Sequence, residues 1–267
     1  ADDMAKWMIV QLARGRLPDG SRLFSEATWR ELTTLVTPMP IGNPPAGMEA
    51  QRPDFRGYAL GIGVQDYRGR KVLLHTGGLP GYVSRVLMIP GIGLGISVLT
   101  NQESGAAFDS IAFHIADHYL GVSDTDWLPA YQKYAAAQVA SAADEERRAA
   151  AARDTNSRPS LALPKYAGTY SDDWYGDVVI EEQDGKLVIR FTRTPLLVGD
   201  LGHWQYDTFL VKWRERELRA DAYVTFSLNP DGSIDQVRMM PASPLVDFSY
   251  DFQDLLLKPK KTETPRR

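Results

Sequence analysis

The 267-residue chain contains no cysteine. Disulfides and thiolate metal ligands are therefore excluded, although the compartment is not fixed by that absence. No apolar run is long enough to cross a bilayer. Net charge is small: 30 Lys and Arg stand against 34 Asp and Glu, for a balance of −4. No basic nucleic-acid footprint is visible, and no nucleic-acid partner is expected. Histidine is rare, at four residues. His114 and His118 have the i, i+4 spacing that can bind zinc, but the glutamate of His-Glu-x-x-His is missing and no third ligand is evident. No metal and no cofactor are expected. No extended repeat is evident.

What is present is enough for a real core: 43% of residues are hydrophobic and 10% aromatic. The length suits one large or two ordinary domains. Residues 2–14 read as a helix capped by Asp2 or Asp3, with Met4, Trp7, Met8 and Leu12 on one face and Gly15 ending it. Ser25 is a good N-cap for a second helix carrying Trp29, Leu32, Leu35 and Val36. The proline-rich stretch 37–56 reads as a loop, either bordering a site or a surface excursion. Strands are expected at 58–66, 71–76, 82–89 and 94–100, followed by a helix over 105–120. From Tyr131 to Ala152 an alanine- and charge-rich helix frays into a linker ending at Ser160.

Beyond the linker the pattern is almost all strand. Val178–Gln183, Asp184-Gly185 and Lys186–Phe191 make a hairpin. Tyr223–Leu228 and Ile234–Met239 make another around Asp231-Gly232, and Val246–Phe252 alternates. Seven or eight short strands suggest a small antiparallel barrel. Trp174, Trp204, Tyr206, Phe209 and Trp213 could line a ligand mouth or fill a barrel core. His203 reads as structural. The chain therefore divides into 1–135, a helical and linker segment 136–160, a barrel 161–257 and a basic, solvated tail 258–267. The fold class is α+β: an antiparallel sheet with helices, plus a small all-β barrel.

The most informative words are His75-Thr76-Gly77-Gly78, read as closing the strand of Val72-Leu73-Leu74. Glycines there let a ligand or another backbone come close. Upstream stands Gly57-Tyr58-Ala59-Leu60-Gly61-Ile62-Gly63-Val64. Downstream stands Pro90-Gly91-Ile92-Gly93-Leu94-Gly95-Ile96-Ser97-Val98-Leu99. As an ordered set, over roughly residues 1–127, these resemble the last strands of the penicillin-recognising serine hydrolases: class C β-lactamases, penicillin-binding proteins and their esterase relatives. Leu163-Pro164-Lys165-Tyr166-Ala167-Gly168-Thr169-Tyr170 and Gly199-Asp200-Leu201-Gly202-His203-Trp204 separately resemble the lipocalin-like domain often appended to that family.

The resemblance implies the C-terminal part of a β-lactamase/transpeptidase-like domain and an acyl-enzyme mechanism on esters, amides or peptides, or β-lactams. The family nucleophile lies in Ser-x-x-Lys, which occurs nowhere in this sequence. Ser227-Leu228-Asn229, the one Ser-x-Asn, reads as coincidence before a turn. A partner is therefore expected: an N-terminal fragment of the same hydrolase carrying Ser-x-x-Lys and the tyrosine. Alone, this chain should be inactive. A sheet without that fragment should expose Val72, Leu74, Ile96 and Val98.

By position, the backbone N–H of Gly78 would be an oxyanion donor; a plain tight turn is the other reading. His75 would stand in the active site, or else be a strand-end histidine bonded to backbone. It replaces a lysine of the class C pattern, and imidazole is only partly charged near neutrality. That favours hydrogen bonding to a tyrosine or to substrate, and an esterase or peptidase over an efficient β-lactamase. Thr76 binds substrate or braces the loop, Gly77 permits close approach, and Tyr82 lines the pocket or packs. The substrate would be a small molecule or peptide, a homo-oligomer is open, and a periplasmic or secreted location is favoured by the resemblance. The rival readings are a ligand-binding barrel on an inert platform and a degenerate interaction protein.

Overall fold

The computed structural model describes residues 1–79, 81–247 and 249–260. The chain forms two compact units, Ala1–Gln138 and Val139–Arg267.

In the first unit, helices α1 (Asp2–Leu12) and α2 (Glu26–Thr33) precede six strands: β1 (Thr37–Pro38), β2 (Arg56–Tyr58), β3 (Gly63–Tyr67), β4 (Arg70–Leu79), β5 (Tyr82–Ile89) and β6 (Leu94–Thr100). The strands pair in sequence order, all antiparallel. Helices α3 (Gly105–Leu120) and α4 (Trp127–Ala152) follow. Strand alternation sorts the apolar side chains onto two faces. Val64, Leu73, Val86 and Met88 pack with Met8 of α1 and Trp29 of α2. Val72, Leu87, Ile89, Ile96 and Val98 pack with Phe108 and Phe113 of α3 and with Trp127 and Tyr131 of α4.

Several expectations change here. Val72, Ile96 and Val98 are buried and Leu74 half-buried beneath α3 and α4, so the sheet does not present them as an open apolar face. Asp2 and Asp3 lie inside the first turn of α1, where a negative charge suits the helix dipole, and Ala1 is the cap. Ser25 does cap α2, accepting from the Thr28 N–H. The strand expected over 58–66 is two strands. Ala59–Ile62 is a tight reversal closed by the Ala59 N–H to the Ile62 carbonyl at 2.8 Å, with Gly61 at φ +83°. A continuous apolar-and-glycine run concealed that turn, because glycine there adopts a left-handed backbone without a Cβ penalty.

Arg68 and Gly69 form the β3–β4 turn, both at positive φ. The Arg68 guanidinium meets the buried Asp117 of α3 at 2.8 and 3.0 Å. The same carboxylate accepts from Tyr67 Oη at 2.5 Å and Trp127 Nε1 at 2.7 Å. One carboxylate thus pins the hairpin that leads into β4 to the last turn of α3 and the start of α4. On this face too, Arg85 pairs with Asp109 at 3.2 Å. Burial raises the Asp109 carboxyl above its usual range, with Arg85 opposing.

The second unit begins within α4, which starts at Trp127, earlier than expected, and ends at Ala152 just before the linker. Strands β7 (Gly168–Asp172), β8 (Gly176–Gln183), β9 (Lys186–Phe191), β10 (Val198–Gln205), β11 (Thr208–Trp213), β12 (Ala222–Leu228) and β13 (Ile234–Pro241) form a meander. Strand β14 (Lys258–Pro259) pairs with β7, and the adjoining Leu257 exchanges two backbone hydrogen bonds with Val237 of β13, at 2.8 and 3.1 Å. The sheet therefore closes on itself. The expected tail contributes this closing strand at 258–259; residues 261–267 lie outside the described residues. The alternating segment Val246–Phe252 is not a strand: bends lead to a 3-10 turn at Phe252–Asp254, and Phe248 lies outside the described residues.

Inward-facing Tyr166, Phe209, Val211, Trp213, Val224, Phe226 and Phe252 fill the interior. Each such large side chain contributes about 1.5–3 kcal/mol on burial. Of the five aromatics that could have lined a mouth, Phe209 and Trp213 are core, whereas Trp174 is 82% exposed and Tyr206 58%. The structure does not bring them together. The expected linker is pinned to the sheet: Arg153 donates to the His203 and Trp204 carbonyls and stacks over Trp204. Ser160 and Tyr166 donate to Asp207.

Candidate active site

Strand β4 carries His75-Thr76-Gly77-Gly78 inside its length, running on to Leu79. The tetrapeptide does not close the strand, and Gly78 is not a tight turn: it pairs with Val83 of β5. The whole stretch is paired on that side, His75 with Val86, Thr76 with Arg85, Gly77 with Ser84. On the other side β3 pairs with β4 only as far as Leu74, opposite Gly63. From His75 to Leu79 the far edge of β4 has no neighbouring strand among the described residues. Alternate backbone N–H and C=O groups along that edge point where a ligand could pair with them.

Beside this edge lies a cleft of about 380 Å³. Met4, Trp7 and Gln11 of α1 form one wall and Leu60-Gly61-Ile62 of the β2–β3 reversal another; His75, Thr76, Gly77 and Ser84 form its sheet side. Alternation puts Leu73, His75 and Gly77 on the α1–α2 face of the sheet. A Cβ on Gly77 would come within 2.7 Å of Ser84 Oγ, so glycine keeps the floor open. Gly78 is exposed, with nothing within 4 Å of its Cβ position. Tyr82 is 60% exposed at the tip of the β4–β5 hairpin, opposite Leu79. Glu103 accepts from the Gly81 N–H at 2.7 Å and fixes that tip.

His75 is hydrogen-bonded through Nε2 to Tyr58 Oη at 2.8 Å. The strand-end reading, a histidine bonded to backbone, is thereby replaced by a side-chain pair. Tyr58, Trp7 and Ser84 were not singled out from the sequence as site residues. Tyr58 stood in the quoted glycine-rich run, but only the β2–β3–β4 pairing brings it beside a histidine 17 positions away. Trp7 carried no signal beyond its helical face.

The other sequence candidates fall elsewhere. His114 and His118 are exposed on α3, and Asp117 between them turns inward to Tyr67, Arg68 and Trp127. His203 bonds the Tyr206 carbonyl at 2.9 Å and packs edge-on against Phe209. Ser227 sits in β12 and Asn229 bonds Ser233 across the following turn. Chemically, the cleft offers a hydrogen-bonding imidazole, hydroxyls and an open strand edge against apolar walls. It suits a ligand with an extended polar backbone and an apolar substituent.

Comparison with known proteins matches residues 1–120 to a family described as Beta-lactamase, and residues 152–259 to one described as a domain of unknown function, DUF3471. The unguisins hydrolase ungD of Aspergillus violaceofuscus is 31% identical over 146 residues, covering 51% of this chain and 25% of that protein. The unguisins hydrolase ungD' of Aspergillus campestris is 25% identical over 257 residues, covering 89% and 44%. The chain thus spans less than half the length of these curated relatives. Among solved structures, an octameric penicillin-binding protein homologue from Pyrococcus abyssi aligns with 97% of this chain and 46% of its own, at 15% identity and a TM-score of 0.38. Residues 1–120 are thus similar to the Beta-lactamase family, and the chain is similar to stretches of two proteins named as hydrolases.

Proposed function

We propose that this chain is part of a serine hydrolase that works through an acyl-enzyme, acting on esters, amides or peptides rather than as an efficient β-lactamase. The observation that carries the reading is the open edge of β4 from His75 to Leu79, lying along a cleft lined by His75, whose ring is hydrogen-bonded to Tyr58. An acyl group laid along that edge would hydrogen-bond to the strand, with the Gly78 N–H offered to the carbonyl oxygen as negative charge develops. His75, Thr76 and Gly77 would contact the substrate. Tyr82 would border the approach from the hairpin tip.

The attacking serine is the missing component. With no Ser-x-x-Lys in the sequence, the nucleophile, its lysine and the proton-transferring tyrosine would come from another stretch of the same hydrolase. Without it, the chain should not turn over substrate. The second unit would be the lipocalin-like domain of such an enzyme. Its packed interior favours a covering or assembling role, homo-oligomerisation included, over small-ligand storage. A periplasmic or secreted location fits the family resemblance.

The test is a fluorophosphonate or fluorescent-penicillin label on the natural protein, with intact mass and N-terminal sequencing. Covalent labelling of a Ser-x-x-Lys serine on a polypeptide co-purifying or continuous with this chain is the expected result. A natural product that starts at Ala1, has no companion and takes no label would remove the enzyme reading.

A further inference from the structure

The Tyr58–His75 contact has chemical content beyond proximity. An imidazole offers two nitrogens, and the tautomer is set by what the other nitrogen is bonded to. Nε2 of His75 is engaged by the Tyr58 hydroxyl at 2.8 Å, while Nδ1 has no hydrogen-bond partner among the described residues. His75 is also the single ionisable side chain among those lining the cleft. We propose that Tyr58 is the positioning residue for His75: its hydroxyl donates to Nε2, holding the neutral ring as the Nδ1–H tautomer and leaving Nδ1–H as the donor for a bound ligand. This deepens the hydrolase reading and rests on it for any effect on turnover.

A phenolic hydroxyl both donates and accepts. When the imidazole takes a second proton, Nε2–H can donate to Tyr58 Oη without moving the ring. Nδ1 therefore carries a hydrogen in either charge state. A position that holds a lysine in the class C pattern keeps its donor character here without a permanent charge. The ligand best served is a neutral acceptor, such as an ester or amide carbonyl, rather than a carboxylate needing a fixed cation.

The experiment is long-range ¹H–¹⁵N NMR of the histidine rings in the 267-residue chain, with His75→Gln identifying the His75 signals among the four histidines. Neutral His75 is expected as the Nδ1–H tautomer in wild type and shifted toward Nε2–H in Tyr58→Phe. Tyr58 is 38% exposed, so a matching thermal melt should show that the variant folds. Wild-type His75 found mainly as Nε2–H overturns the proposal without reference to any variant. So does a Tyr58→Phe spectrum with an unchanged tautomer.

The catalytic consequence is read separately, in the hydrolase carrying its serine. Tyr58→Phe should lower kcat/KM by about tenfold, less than the roughly 10²–10⁴-fold of a group that itself transfers the proton, because Tyr58 acts through His75. A tautomer that shifts while kcat/KM stays unchanged would leave the pair standing and remove His75 from the proposed active site.

Discussion

Replacing Asp117 by Asn should strongly destabilise the first unit, although the two side chains match in shape. In the wild type one carboxylate oxygen accepts from Tyr67 Oη and Arg68 Nε, at 2.5 and 2.8 Å. The other accepts from Trp127 Nε1 and Arg68 Nη2, at 2.7 and 3.0 Å. An amide has one acceptor oxygen, so whichever way it turns, two donors face an NH₂ group. Each buried donor left unmade costs about 1–3 kcal/mol. Removing one partner of a buried ion pair costs about 3–5 kcal/mol. These overlap, because Arg68 appears in both, and the expected loss is about 3–5 kcal/mol. Domains are stable by only about 5–15 kcal/mol.

Asp124 supplies an internal control. It also meets Arg68, at 2.5 Å, but its side chain is 61% exposed, so Asp124→Asn should cost far less than Asp117→Asn. Urea unfolding followed by tryptophan fluorescence and near-ultraviolet circular dichroism would measure both variants. An Asp117→Asn loss below about 1 kcal/mol, or one no larger than that of Asp124→Asn, would refute the reasoning. Because Arg68 forms the turn leading into β4, the variant should also disturb the strand that carries His75.

Two further outcomes concern the second unit. A Cβ at Gly199 would meet Val211 Cγ2 at 2.5 Å and the Lys212 carbonyl at 2.9 Å, so Gly199→Ala should cost about 1–3 kcal/mol through overpacking; a wild-type urea midpoint would contradict the packing described. Burial raises the Asp207 carboxyl, but donation from Tyr166 and from the Ser160 N–H and hydroxyl outweighs it, and the net pKa lies below the usual carboxylate range. The stabilisation is therefore present above the unfolded carboxylate pKa and lost as pH falls through the folded value. Asp207→Asn should flatten the acid limb of a stability–pH curve, and a limb as steep as in wild type would show that Asp207 is not responsible.

How much was legible follows from which interactions are local. The strands at 82–89 and 94–100 and the helix at 105–120 emerged with close to their observed bounds, because alternation, Pro90-Gly91 and Gly121 act within a few residues. His75 through Gly78 were visible as a motif, but their place inside a paired strand was not, since glycines read as an ending. Tyr58 became a site candidate only when pairing set β2 near His75. Asp117 carries no signal in the sequence beyond its place between two histidines, because its four hydrogen bonds run to residues up to 50 positions away. Lys258-Pro259 read as tail because charge dominates the composition there, while pairing depends on the backbone.

The seam of the barrel sets an order of events. Strand β14 pairs Lys258 with Ser171 of β7, and the adjoining Leu257 bridges to Val237 of β13. During synthesis the seven-strand meander emerges first, with both of its outer edges lacking a neighbour. Contacts so distant in sequence form slowly. Until the residues around Leu257 leave the ribosome, two open edges can recruit strands from other nascent chains. The unit's exposure to misassembly is therefore concentrated in that interval, and a two-residue strand ends it.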